Sequence, residues 1–253
     1  MVACAGSPPA PVEDRQYGGA SPGAGYRVQQ GDTLYSIAFR YGLDYRRLGA
    51  ANGISAPYTI YPGQRLRLSQ ADIPKTASSS ATRKESATAV PPSPGVAPAS
   101  PVLKPPPQTP KKAPASKHTQ TAVVSRPVAN APVKAWRWPS SGPVVRRYSA
   151  TVHKGIDIGG KRGDPVQAVA AGQVVYAGNG IVGLGELIIV KHNELYLSAY
   201  GHNDRLLVAE GAVVQAGQRI AEKGSSGTDS VRLHFEIRKE GKPIDPLRLL
   251  PRR

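Results

Sequence analysis

The stretch GDPVQAVAAGQVVYAG, Gly163 to Gly178, sets the structural class of the larger half of this 253-residue chain. It is a short β-branched run closed by glycine-containing turns, and runs of the same kind recur in ELIIVKH (186–192), LYLSAYGH (195–202) and GAVVQAGQRIAEKG (211–224). Turn signals spaced about eight to twelve residues apart describe an all-β module, sandwich or barrel-like. It begins at the aromatic pair Trp136 and Trp138 and runs to Arg253. No long amphipathic helix is expected within it.

On the N-terminal side the composition changes. From Ala71 to Ala135 there is no Phe, Tyr or Trp, and Pro recurs in runs such as KPPPQTP (104–110) among Ala, Ser, Thr and Lys. Such a segment buries too little apolar area to offset its ordering entropy, so residues 71–135 are predicted to be a disordered, extended Pro/Ala/Lys-rich tether. Ahead of it, YRVQQGDTLYSIAFRYGLDYRRLGAANGI (26–54) carries a second kind of pattern. Asp32 is expected to cap a helix with Leu34, Ile37, Ala38 and Tyr41 on one face and Gly42 at its end; Asp44 is expected to cap a second helix ending near Asn52-Gly53. YTIYPGQRLRL (58–68) then gives a turn at Pro62-Gly63 and a strand with Leu66 and Leu68 alternating. Residues 25–70 thus form a strand-helix-helix-strand module near the lower size limit for independent folding. Residues 1–24, rich in Pro, Gly and Ser, read as a flexible leader.

Lys and Arg outnumber Asp and Glu by 33 to 17, a net charge of +16, which suits a polyanionic partner or surface. Aromatic residues do not alternate with the basic ones, and neither zinc-finger spacing nor an RNA-binding strand signature is present, so no nucleic-acid partner is expected. No stretch reaches the roughly eighteen apolar residues of a membrane helix. The single cysteine, Cys4, excludes an internal disulfide. Its context, Met1-Val2-Ala3-Cys4, resembles the end of a bacterial lipoprotein signal, which implies lipidation of Cys4. Ala5 after it resembles the pattern for outer-membrane sorting.

The all-β module holds four histidines, and three of them fall in patterned positions. His153 and Asp157 are four apart in HKGID, His202 closes LYLSAYGH, and His234 lies in RLHFE. Two imidazoles and one carboxylate with an open fourth position make a suitable catalytic zinc set, so Zn²⁺ is the cofactor this module would take.

Two family resemblances follow from these motifs. YRVQQGDTLYSIAFRYG with LGAANGI and IYPGQRLRL resembles a LysM module, a family that binds N-acetylglucosamine-containing glycans such as peptidoglycan. That resemblance implies a sugar groove between Gly31-Asp32-Thr33 and the segment Ile54 to Pro62, with Ile54, Pro57, Tyr58 and Ile60 as contacts. HKGID, YGHN and RLHFEIR, in that order, resemble the lysostaphin-type zinc endopeptidases, or LytM-type domains, of barrel-sandwich hybrid fold. The likeness implies His153, Asp157 and His234 as metal ligands and His202 as a catalytic residue handling the proton of the metal-bound water. At the remaining position the sequence departs from that family: Arg232 stands where the family has a catalytic His. A guanidinium stays charged at physiological pH and cannot take a proton from water. As a fixed cation beside the metal it should also weaken Zn²⁺ binding, although an arginine can stabilise an oxyanion.

Lipobox-like Cys4, one LysM module, a Pro-rich tether and a degenerate LytM-type domain together resemble the murein hydrolase activator NlpD family. The resemblance implies a non-enzymatic outer-membrane lipoprotein of the periplasm. Its partners would be peptidoglycan and a periplasmic N-acetylmuramoyl-L-alanine amidase, it would act in daughter-cell separation, and it would require no cofactor. Arg232 would then serve as a partner contact, paired with an amidase carboxylate, or merely fill the cleft. Two other classes stay open: an active zinc endopeptidase, favoured by His153, Asp157, His202 and His234, and a plain peptidoglycan-binding envelope protein, favoured by the LysM motif and the charge. In the activator reading, the tether is expected to let the second domain search for its partner while the LysM module grips glycan.

Overall fold

A computed structural model describes residues 25–68 and 131–253. The leader, Cys4 and the tether up to residue 130 lie outside the described residues.

In the N-terminal half, strand β1 (Gly25–Arg27) pairs antiparallel with β2 (Arg65–Arg67), Tyr26 opposite Leu66. Between them lie helices α1 (Leu34–Tyr41) and α2 (Tyr45–Ala51). Asp44 caps α2 as expected, its carboxylate accepting from Arg46 N at 2.8 Å and Arg47 N at 3.2 Å. Gly42 ends α1 in the left-handed region (φ 66°), where a side chain would be strained. Asp32, by contrast, does not cap α1. Thr33 does, exchanging hydrogen bonds with Ser36 in a reciprocal capping box, because Thr33 is the extended residue immediately before the first helical one. Asp32 instead closes the preceding loop, accepting from Tyr26 OH at 2.6 Å and Gln29 N at 2.8 Å.

The C-terminal half is all-β apart from a 3-10 turn at Pro246–Arg248. Its strands are β3 (Val144–Arg146), β4 (Ile156–Gly159), β5 (Pro165–Gln167), β6 (Gly172–Gly178), β7 (Glu186–Lys191), β8 (Tyr196–Leu206), β9 (Val213–Val214), β10 (Arg219–Lys223), β11 (Arg232–Lys239) and β12 (Lys242–Ile244). They form one antiparallel sheet in the order β3-β4-β11-β8-β7-β6-β9, with β10 joining β5 to β8 and β12 on β11. Lys223 on β10 is fully buried but not orphaned: its ammonium donates to the carbonyls of Ser141 (2.9 Å) and Gly159 (2.8 Å).

Strands β7 and β8 are buried on both faces. Ile188, Val190 and Tyr200 turn into the core of the C-terminal half, whereas the alternate residues Leu187, Ile189, Leu197 and Ala199 share a second core with Leu34, Ile37, Phe39 and Leu48 of the helices. Two-sided burial explains why ELIIV is continuously apolar instead of alternating. The two halves therefore form one compact unit, which differs from the independently searching modules expected on a tether. The cause is the outer face of β6–β8, too apolar to leave in water and covered by α1 and α2. Polar contacts fasten the joint: Thr33 Oγ1 donates to Val175 O at 3.2 Å, Arg40 Nη2 to Gly180 O at 2.9 Å and Tyr45 OH to Glu194 at 2.8 Å. Arg238 donates to the carbonyl of Phe39 and lies over its ring, 3.3 Å from the centroid.

Candidate metal cleft and glycan groove

Register brings the cleft residues together. On β11, His234 stands opposite Asp157 of β4 on one side and Gly201 of β8 on the other. His153 arrives from the turn before β4, held by a two-way backbone bridge to Ser149. Gly155, between His153 and Asp157, allows this approach, since a Cβ there would lie 2.2 Å from Phe235 O.

His153, Asp157 and His234 are 8%, 3% and 5% exposed, and one ligand atom from each lies within 4.8 Å of the others. His153 Nε2 is 3.2 Å from Asp157 Oδ1 but misaligned for a hydrogen bond, which leaves a buried nitrogen without a partner. That orphaned donor or acceptor, beside a second imidazole and a carboxylate, fits a zinc ion by ligand type and count. His234 has Nδ1 2.8 Å from Asp157 Oδ1 and Nε2 3.1 Å from Glu236 Oε1. Burial opposes its charge, but two carboxylates facing its two nitrogens hold the imidazolium, raising its pKa to about 9. Burial alone would raise the Asp157 carboxyl; the hydrogen bond from His234 and the nearby imidazole of His153 outweigh it and hold the group well below the usual carboxylate range.

His202 closes the other side with an unusual backbone (φ 62°), its ring centroid 5.9 Å from that of His234. Burial lowers its pKa to about 4, so it is neutral at pH 7. Its Nδ1, 2.8 Å from Ser226 O, must then carry the hydrogen, leaving Nε2 as an acceptor. Arg232 points into the same cleft. Its Nε is 3.4 Å from Asp157 Oδ2, and its Nη atoms bond Thr228, Ser230 and Asp229, the last at 3.2 Å. The guanidinium is therefore already engaged by its own turn.

Two residues absent from the sequence reading complete this network. Glu236 and Arg238, both buried, extend the same face of β11: Arg238 Nε and Nη2 each lie 2.8 Å from Glu236 Oε2. The chain of contacts thus runs from Asp157 through His234, Glu236 and Arg238 to Phe39 of α1. Its signal was in RLHFEIR, where Arg232, His234, Glu236 and Arg238 occupy every second position between apolar residues.

In the N-terminal half, Asp32, Thr33, Pro57, Tyr58 and Ile60 line one groove of about 750 Å³, as does Tyr35. Gly31 and Ile54 do not line it. Gly31 supplies a left-handed turn (φ 84°), and Ile54 packs on the shared core.

Comparison with known proteins identifies the two halves. Residues 151–246 match Peptidase family M23 and residues 26–69 match the LysM domain. The Lipoprotein NlpD/LppB homolog of Pseudomonas aeruginosa is 46% identical, with 100% of this chain and 89% of that protein covered. The Murein hydrolase activator NlpD of Escherichia coli (strain K12) is 42% identical over 96% of this chain and 73% of that one. The Outer membrane antigenic lipoprotein B of Haemophilus influenzae is 41% identical over 92% and 65% respectively.

Proposed function

The chain belongs to the NlpD family of murein hydrolase activators, and from that membership we propose that it is a non-catalytic activator of periplasmic N-acetylmuramoyl-L-alanine amidases. It binds peptidoglycan through its LysM domain, is anchored to the outer membrane through a lipid on Cys4, and promotes splitting of septal peptidoglycan and daughter-cell separation.

The observation that carries the non-catalytic reading is Arg232. It occupies the cleft with a charge that no physiological pH removes, so the cleft keeps one proton acceptor, His202, instead of two flanking bases. The same guanidinium draws on the second oxygen of Asp157, a carboxylate the metal site needs. Asp229, with its side chain 89% exposed, holds Arg232 in a solvent-facing pair that an amidase carboxylate could replace.

A second reading is favoured by the cluster His153, Asp157 and His234, the residues that would hold Zn²⁺. Bound there, the ion would polarise a peptide carbonyl and acidify a water, as in a zinc endopeptidase. The two readings separate when the full chain is incubated with peptidoglycan, alone with or without chelator, and then with a cognate amidase. No soluble fragments from the chain alone and faster release by the amidase are expected. Chelator-sensitive release by the chain alone, lost in His234→Ala, overturns the activator reading in favour of the enzyme.

A further inference from the structure

The groove that carries Asp32, Thr33 and Tyr58 has two walls, and only one of them belongs to the LysM domain. The other is built by the M23 half: Gln173 at the start of β6, Lys191 at the end of β7, Glu194 in the following turn and Glu210 ahead of β9. At about 750 Å³ the space lies within the range of ligand sites, roughly 300–1,000 Å³. Its walls differ in character. The LysM side carries the aromatic and apolar Tyr35, Pro57, Tyr58 and Ile60 beside Asp32 and two threonines, whereas the M23 side adds to Val174, Val175 and Gly211 an amide, an ammonium and two carboxylates. Aromatic side chains on one wall and hydrogen-bonding groups on the other suit a sugar ring, which is apolar on its C–H faces and ringed by hydroxyls.

The walls are held in fixed relation. Thr33 Oγ1 bonds Val175 O at 3.2 Å, and Tyr45 OH bonds Glu194, which also takes Lys191 Nζ at 2.6 Å. Lys191 Nζ sits 5.2 Å from the Tyr45 ring centroid, so this corner is ordered before any ligand arrives. Gln173 and Glu210 are less committed. Gln173 Nε2 reaches Gly211 O at a long 3.3 Å, and Glu210 is exposed at the groove edge.

We propose that the M23 half supplies the second wall of the saccharide site. A glycan containing N-acetylglucosamine is held between the two halves, with Gln173 and Glu210 hydrogen-bonding its hydroxyl and acetamido groups. The proposal rests on the reading that the LysM domain binds glycan, and it assigns to the M23 half a recognition role separate from the cleft at Asp157.

The test uses the full chain and a soluble N-acetylglucosamine oligosaccharide, followed by calorimetry. Gln173→Ala and Glu210→Ala should each weaken binding about three- to tenfold, the worth of one hydrogen bond, without changing the melting temperature. Thr59→Trp, an exposed groove residue on the LysM side, should block binding without disturbing the core. Loss with Thr59→Trp but unchanged affinity in the Gln173→Ala/Glu210→Ala double variant overturns the two-walled site and leaves the LysM reading intact. Binding unaffected by Thr59→Trp, or absent from the unsubstituted chain, overturns that reading and the proposal with it.

Discussion

A guanidinium 3.4 Å from one oxygen of Asp157 competes with any cation for that carboxylate, and its charge repels the cation as well. Replacing it removes both effects. Arg232→Ala is therefore expected to tighten Zn²⁺ binding at pH 7 by about tenfold or more, each tenfold step corresponding to about 1.4 kcal/mol. Competition against a chromophoric chelator reads this directly, and an unchanged affinity would place the charge outside the metal site. His192 gives a second expectation. It is buried, with Nδ1 2.9 Å from Ala171 O and Nε2 2.7 Å from Ser198 Oγ, and burial lowers its pKa from 6.5 to about 4. Above pH 6.5 neither the folded nor the unfolded chain protonates it. Between about 6.5 and 4 the unfolded chain takes up a proton that the folded chain refuses, so stability falls as the pH drops, by up to about 3 kcal/mol, and levels off below. His202 is depressed in the same direction and adds to the slope. His192→Gln should flatten the dependence of the denaturation midpoint on pH across this window; an identical slope in the two proteins would contradict the assignment.

β11 carries three buried ionisable residues, His234, Glu236 and Arg238, on one strand face, and its alternation was legible from RLHFEIR alone. The meeting of His153, Asp157 and His234 in one cleft was legible too, because residue types suited to a metal stand in short motifs on adjacent strands. Likewise Asp44 and Gly42 sat where caps must sit. Asp32 misled because a capping residue and a loop-closing residue share chemistry, and only the backbone angle of Thr33 separates them. The partner of Arg238 was not legible at all: Phe39 lies 199 residues away, and no local pattern encodes a contact of that separation. Removing that arginine leaves Glu236 buried beside a single histidine. Arg238→Ala should therefore cost about 3–5 kcal/mol, and adding Glu236→Gln should recover part of it by removing the uncompensated charge. A double-mutant cycle by urea denaturation measures this, and strictly additive losses would count against the pair.

The shared core packs the LysM and M23 halves into one body, so the two are expected to unfold together. Both tryptophans, Trp136 and Trp138, lie in the M23 half, so their fluorescence reports on that half alone. Phe39→Ala, in the LysM half, should shift the tryptophan-detected midpoint together with the circular-dichroism midpoint, by a loss of about 3–5 kcal/mol. An unmoved tryptophan transition would mean that the halves unfold separately. Two-sided burial of ELIIV was the available sequence signal for this joint, because a strand with one wet face does not read as four apolar residues in a row. The joint also has a geometric consequence. With α1 clamped at the Phe39 carbonyl by a residue of β11, a glycan strand bound in the groove as proposed would fix the heading of the M23 cleft as a jig fixes a tool. On the proposed reading, the cleft would then meet the amidase at one set angle to the sugar chain, and the wall's own direction would be passed on to the enzyme that cuts it.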